Sequence, residues 1–386
     1  MTHKNRIRYP SDRPKRRERP SAGQVGFCLM STFCFVLILR NSDAAIEYIG
    51  RGLTLCARTV IPSLFPFMVI SELLVSSGAG EAFGRLFSRL MQWLFGLSGA
   101  GASAVFLGSM CGFPVGAKTA VGLLDRNAIS KTECEHLLTF TNNPGSAFLI
   151  TGVGMSLYGN RRLGVLLYVT VLATGFFVGF LARFFLRRRN EPLEHPHFPS
   201  GLHIGGVETF TGAVSGAATG MLTVCAYVIF FSALTGALGC AVSDGGGGAT
   251  GYALLSGLLE MTGGISLAAS LRDPRWALIL TAAFAGWSGI SVHCQIMTLC
   301  SGRGLSFKPY ILAKAFQGIL CGIVMAVILN LKPQWINAAE GAVVDAILAF
   351  TSLRDIPVPA LLTDSVFMAG WVLSRVNSWM GKEDPA

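Results

Sequence analysis

Residues 108–154 read GSMCGFPVGAKTAVGLLDRNAISKTECEHLLTFTNNPGSAFLITGVG. Two apolar segments here are each broken in the middle, first at Gly112-Phe113-Pro114-Val115-Gly116 and then at Asn142-Asn143-Pro144-Gly145-Ser146. Pro144 removes a backbone donor and clashes with the carbonyl four residues earlier, so a helix that reaches Thr141 must open at Asn142-Asn143. The start of that helix is also legible. Ser130-Lys131-Thr132-Glu133 has the form of a capping box, in which hydroxyl and carboxylate satisfy reciprocal orphan N–H groups. In a soluble protein both breaks would be surface loops, and the rest of the chain says that they lie in a membrane.

The 386 residues are 52% hydrophobic and 13% charged, whereas soluble domains carry roughly 25% charged residues. Windows at 24–39, 60–77, 163–184, 221–241 and 309–331 reach or approach the ~18 apolar residues that cross a bilayer. The expected class is an all-α polytopic membrane protein. The net charge of +10 is concentrated at the N-terminus, where Lys4, Arg6, Arg8, Arg13, Lys15, Arg16, Arg17 and Arg19 face only Asp12 and Glu18. With no interleaved aromatics beyond Tyr9, residues 1–22 read as a disordered cytoplasmic anchor and not as a nucleic-acid-binding arm. The 10 cysteines are scattered, which supports neither a disulfide framework nor a zinc site. No nucleophile–base pair supports an enzyme.

Lys and Arg near the spans set the expected orientation. The basic tail and the Arg183/Arg187–Arg189 cluster are both expected on the cytoplasmic side, giving a multi-pass cell-membrane protein with a cytoplasmic N-terminus. Residues 81–97 read as an interfacial helix, with Arg85 and Arg89 opposite Leu86, Leu90, Trp93 and Leu94. Counting spans inward makes 98–124 a re-entrant hairpin with its tip at 112–116, and 132–157 a broken transmembrane helix.

After a polar linker at 187–204 the order repeats: a hairpin at 252–271 interrupted at 260–264, a broken helix at 276–299 interrupted at 286–289, and a last clear span at 309–331. The count gives the second hairpin the opposite orientation. The expected architecture is therefore an inverted repeat, 23–186 and 205–332, with two re-entrant hairpins and two unwound helices, followed by a less legible region at 333–386.

Opened helices in hydrocarbon leave backbone groups unpaired at several kcal/mol each, so they persist where they line a cavity or bind something. Paired interruptions in two halves point to a solute site at the midplane, where half-helix N-termini meet an anion or polar solute. The candidate binding residues are Gly112, Phe113, Pro114, Gly116, Lys118, Asn142, Asn143, Gly145, Ser146, Glu260, Thr262, Gly263 and Ser288. Lys118 and Glu260 stand out as intramembrane ionisable groups, with a lysine snorkelling to the cytoplasmic face as the alternative for Lys118. Ser288 and Ser291 are candidate contacts for a coupling cation, sodium or proton; no resident cofactor or metal is expected. His293 reads as a hydrogen-bonded core residue or a proton relay.

The motifs Pro62-Ser63-Leu64-Phe65-Pro66-Phe67, Gly112-Phe113-Pro114-Val115-Gly116-Ala117-Lys118 and Leu137-Leu138-Thr139-Phe140-Thr141-Asn142-Asn143-Pro144-Gly145-Ser146 resemble those of the nucleoside-recognition (Gate) domain membrane proteins, and among them the YlbJ-type sporulation proteins. Phe284-Ala285-Gly286-Trp287-Ser288-Gly289-Ile290 is similar in style to the unwound helix of concentrative nucleoside transporters. The resemblance implies an inner-membrane or forespore-membrane protein that moves a small solute, dipicolinate in this branch. A nucleoside or other solute:cation symporter and a non-transporting scaffold for spore envelope assembly are the alternatives. The expected partners are a small solute and the bilayer, with a second copy of the chain left open and no nucleic acid.

Overall fold

Apolar runs without a strand-like alternation fold here as helices, and no strand occurs among the described residues of the computed structural model, 22–76, 79–186, 206–244 and 248–336. The basic tail, the linker with Arg187–Arg189, and the region from 337 on, including the apolar stretches 339–350 and 358–373, lie outside the described residues. Among the described residues, four helices are long and apolar enough to cross a membrane: Arg161–Leu186, Val207–Gly239, Pro274–Leu299 and Lys308–Leu331. Two further helix pairs, bent by 97° and 98°, bring the number to six if each pair is one span. The chain is an integral membrane protein.

In chain order the first part contains α1 (Ala22–Arg40), α2 (Ser42–Leu55), α3 (Ile61–Ser76) and α4 (Ala79–Phe95). Helix α1 turns sharply into the amphipathic α2, which packs along the later helix α9 with Tyr48 against Gly236. Next come α5 (Ala102–Cys111) and α6 (Val115–Asp125), folded against each other around the turn at Gly112–Pro114, whose Phe113–Pro114 peptide is cis. The turn falls at the tip read from the sequence. Helix α7 (Lys131–Thr141) starts at the expected capping box: Glu133 N–H donates to Ser130 Oγ at 3.1 Å, and Ser130 N–H to Glu133 Oε2 at 3.1 Å. It stops where Pro144 demands, and the chain resumes as a π-helical segment, Phe148–Leu157, before α8 (Arg161–Leu186).

The second part begins with α9 (Val207–Asp244), a single helix that starts well before the apolar window 221–241. No proline interrupts it, so nothing stops the helix from propagating. Its small residues admit close neighbours, with Gly216 beside Glu72 and Gly220 beside Met68, the usual way helices approach in lipid. Then follow α10 (Gly248–Leu259), α11 (Met261–Ala269), α12 (Pro274–Trp287), α13 (Gly289–Leu299) and α14 (Lys308–Leu331). Both interruptions in this part are one residue wide: Glu260 is extended and Ser288 is left-handed with φ 74°.

Contacts between element ends set which loops share a side. Arg303 forms a bidentate pair with Asp125, at 2.7 Å for each oxygen, and Ser306 N–H donates to Glu135 Oε1 at 2.7 Å. The loops after α6 and after α13 therefore lie together. Arg183 donates to Trp93 O at 2.7 Å, which places the ends of α4 and α8 side by side.

Candidate functional site

Each hairpin tip touches the break of the helix that follows it. At the first pair, Phe113 N–H donates to Asn143 O at 2.9 Å and Ser146 Oγ–H to Met110 O at 3.1 Å. At the second pair, Gly289 packs on the backbone of Leu259, Glu260 and Met261, and Trp287 Nε1–H donates to Leu258 O at 2.9 Å.

Both hairpin tips and the first helix break face one cavity of about 120 Å³, and the helix after the fourth break reaches it from Ser291 on. Phe113 and the stretch Pro144–Phe148 line it from one side, and Glu260, Met261, Thr262, Ser291 and Gln295 from the other. Helices α3 and α9 close it with apolar residues such as Phe67 and Val224.

The polar groups of the cavity are few. Pro144 stops α7 and a new helix begins at Ser146, so the first N–H groups of that helix have no acceptor in the preceding turn. At α13, which begins after Ser288, the first-turn residue that lines the cavity is Ser291. Glu260 differs, because its carboxylate caps its own helix: Thr262 N–H donates to Oε1 at 2.9 Å and Gly263 N–H to Oε2 at 2.6 Å. Gln295 is 2% exposed, and its Oε1 has no hydrogen-bond partner.

The sequence-derived candidates divide into three groups. Phe113, Gly145, Ser146, Glu260, Thr262 and Ser291 line the cavity. Gly112, Pro114, Gly116, Gly263 and Ser288 shape the tips and breaks without lining it: Gly116 packs on Thr141 O, Gly263 serves the Glu260 cap, and Ser288 Oγ sits 3.4 Å from Ala285 O. Lys118, Asn142 and Asn143 point elsewhere. Lys118 does not meet the cavity: its Nζ lies 2.9 Å from Glu72 Oε1 on α3, beside Gly216 and Gly220 of α9. The reason is geometric, since Lys118 lies on the face of α6 that packs on α3, where Ser71 and Thr119 also share a 2.7 Å hydrogen bond. His293 bonds to Tyr310 at 2.9 Å and packs on Trp287.

Both members of the Glu72–Lys118 pair are partly shielded, at 28% and 11% side-chain exposure. Removing one partner leaves a poorly solvated charge. We therefore expect Lys118→Met or Glu72→Gln alone to cost about 1–3 kcal/mol, and the double variant to recover most of that loss. A double-mutant cycle by thermal unfolding measures it; additive losses would show that the two charges do not interact.

Asn142 and Asn143 face away from the cavity and meet residues that the sequence reading passes over, Lys314 and Gln317 on α14. An intramembrane lysine followed three residues later by glutamine, on one face of an otherwise apolar helix, is the signal that could have found them. Glu72, within the apolar window 60–77, is a second polar residue of the same kind.

Residues 57–239, which hold the first tip and the first break, match the family model described as Gate, nucleoside recognition. Over 339 residues, covering 78% of this chain and 82% of the relative, the sequence is 27% identical to the sporulation integral membrane protein YlbJ of Bacillus subtilis (strain 168). No solved structure matches the chain.

Proposed function

We propose that this protein is a secondary transporter for a small carboxylated aromatic solute, dipicolinate during sporulation, held in the cavity between the two hairpin tips. The observation that carries this reading is the convergence of both hairpin tips, the first helix break and the first turn of α13 on that cavity. Such breaks are costly in hydrocarbon and are retained where they line a solute path. The order of hairpin, broken helix and intact helix occurs twice, and we read the two halves as an inverted repeat with the N-terminus in the cytoplasm.

With no lysine or arginine among the lining residues, carboxylates are received by the N–H groups at Ser146–Phe148 and by the Ser291 hydroxyl, at the positive ends of half-helices. Phe113 and Phe148 offer ring faces. The size argues against a base with its sugar: about 120 Å³ is below the ~150 Å³ that accommodates benzene. A nucleoside is the second reading, favoured by the unpaired Gln295 amide oxygen, which suits a base edge.

Uptake of labelled dipicolinate into vesicles containing the purified protein, with uridine and adenosine as competitors, tests the assignment. Saturable uptake indifferent to nucleosides is expected; uptake blocked by nucleosides supports the second reading, and none of either solute supports a scaffold.

Glu260 gives a sharper outcome. Its replacement by alanine removes the cap, at about 1–3 kcal/mol. It also vacates two N–H donors and removes a negative charge beside the solute. Dicarboxylate affinity should therefore rise although stability falls, as titration calorimetry would report; weaker binding would mean that the carboxylate itself helps to hold the solute.

A further inference from the structure

Behind the first break, three oxygen atoms converge on one point. Asn142 O, Asn143 Oδ1 and Gln317 Oε1 lie 2.9, 3.2 and 2.8 Å from Lys314 Nζ. Lys314, Asn142 and Gln317 are fully buried and Asn143 is 1% exposed. The ammonium has three N–H donors, and the three oxygens use all of them. No carboxylate among the described residues pairs with it; His293 and Cys321 are the titratable groups near enough to interact with it.

The surrounding bonds hold the oxygens in place independently of the lysine. Gln317 Nε2–H donates to Asn143 Oδ1 at 2.8 Å and to Val171 O at 3.0 Å, and Asn143 Nδ2–H donates to Phe140 O at 2.8 Å. Asn142 O is a carbonyl freed because the helix opens before Pro144. A cluster of neutral carbonyl-type oxygens at an opened helix is the chemistry that takes a hard monovalent cation in a membrane protein. Here a cationic head on a side chain from another helix fills it.

The geometry points to Lys314 as a tethered cation: its ammonium occupies a monovalent-cation site formed by the first break, so that α14 supplies from within the chain the charge a free ion would otherwise bring. This does not rest on which solute is carried, nor on whether one is. It follows that the first break needs no sodium or potassium, and that removing the ammonium creates a binding site for such an ion or for a small alkylammonium.

The test is thermal unfolding of the full-length protein and of Lys314→Ala in chloride salts of sodium, potassium, ammonium, n-propylammonium and N-methylglucamine at equal ionic strength. The wild type should melt at one temperature in all five. Lys314→Ala should melt several degrees lower in N-methylglucamine, which is too large for the site, and regain at least half of the deficit in one or more of the small cations. Lys314→Met, which fills the space without a charge, should respond to none. A Lys314→Ala protein with the same melting temperature in every salt, or one that does not fold in potassium-rich cells, overturns the proposal. A wild type that depends on sodium or potassium overturns it without recourse to any variant. Loss of dipicolinate uptake bears on the proposed function and leaves these results unchanged.

Discussion

Gly152→Leu should abolish solute uptake and solute binding while leaving the fold intact. Gly152 lies on the π-helical segment after the first break and lines the cavity. A Cβ built there meets only Phe148 Cδ2, at 3.7 Å, an ordinary contact. The leucine side chain has room to enter, and that room is the space assigned to the solute. Because leucine favours helical backbone more than glycine does, the variant should be within about 1 kcal/mol of the wild type or slightly more stable. Uptake measured beside a melting curve separates loss of the site from loss of the protein. Normal uptake by a folded Gly152→Leu protein would place the solute elsewhere.

The largest loss of stability is expected from Gly112→Ala. Gly112 has φ 80° and ψ −163°, a region that only glycine occupies readily. Its missing side chain leaves space for the opposing break: an added Cβ would collide with Gly145 N and come within 2.7 Å of Asn143 O. Both are backbone atoms held by the turn before Ser146, so neither yields as a flexible side chain would. Backbone strain of about 1–3 kcal/mol and overpacking of about 1–3 kcal/mol give a loss of roughly 2–6 kcal/mol. Gly50→Ala in α2, where a Cβ meets nothing within 4 Å, should be neutral or stabilising and serves as the control. Thermal unfolding in detergent compares the two. A mild effect at Gly112 would mean that the first tip and the first break are not in contact.

The sequence is most legible where a single residue forbids regular structure. Pro144 opens a helix whatever surrounds it, the Ser130/Glu133 pair fixes where that helix starts, and the hairpin between 98 and 124 follows from glycine and proline at its tip. The long apolar spans follow from composition and length. What the linear reading misses is direction around a helix. Lys118 is four residues from Pro114 in the chain, but the turn of α6 carries it to α3 and Glu72, and Asn142 and Asn143 are turned toward Lys314 and Gln317. Those partners are 171 to 174 residues away, and nothing local pairs them. The lining residues Gln295, Thr151 and Ser156 are common polar residues within apolar helices, so they become members of a site only once two distant breaks are brought together.

The central claim is that a carboxylated solute sits in the cavity between the two hairpin tips. Its most direct test is thermal unfolding of the purified wild type and of Gly152→Leu with dipicolinate in large excess. At ~100 times the dissociation constant the solute should add about 2.7 kcal/mol to the wild type and nothing to the variant. An equal shift in both proteins, or no shift in the wild type, would contradict it.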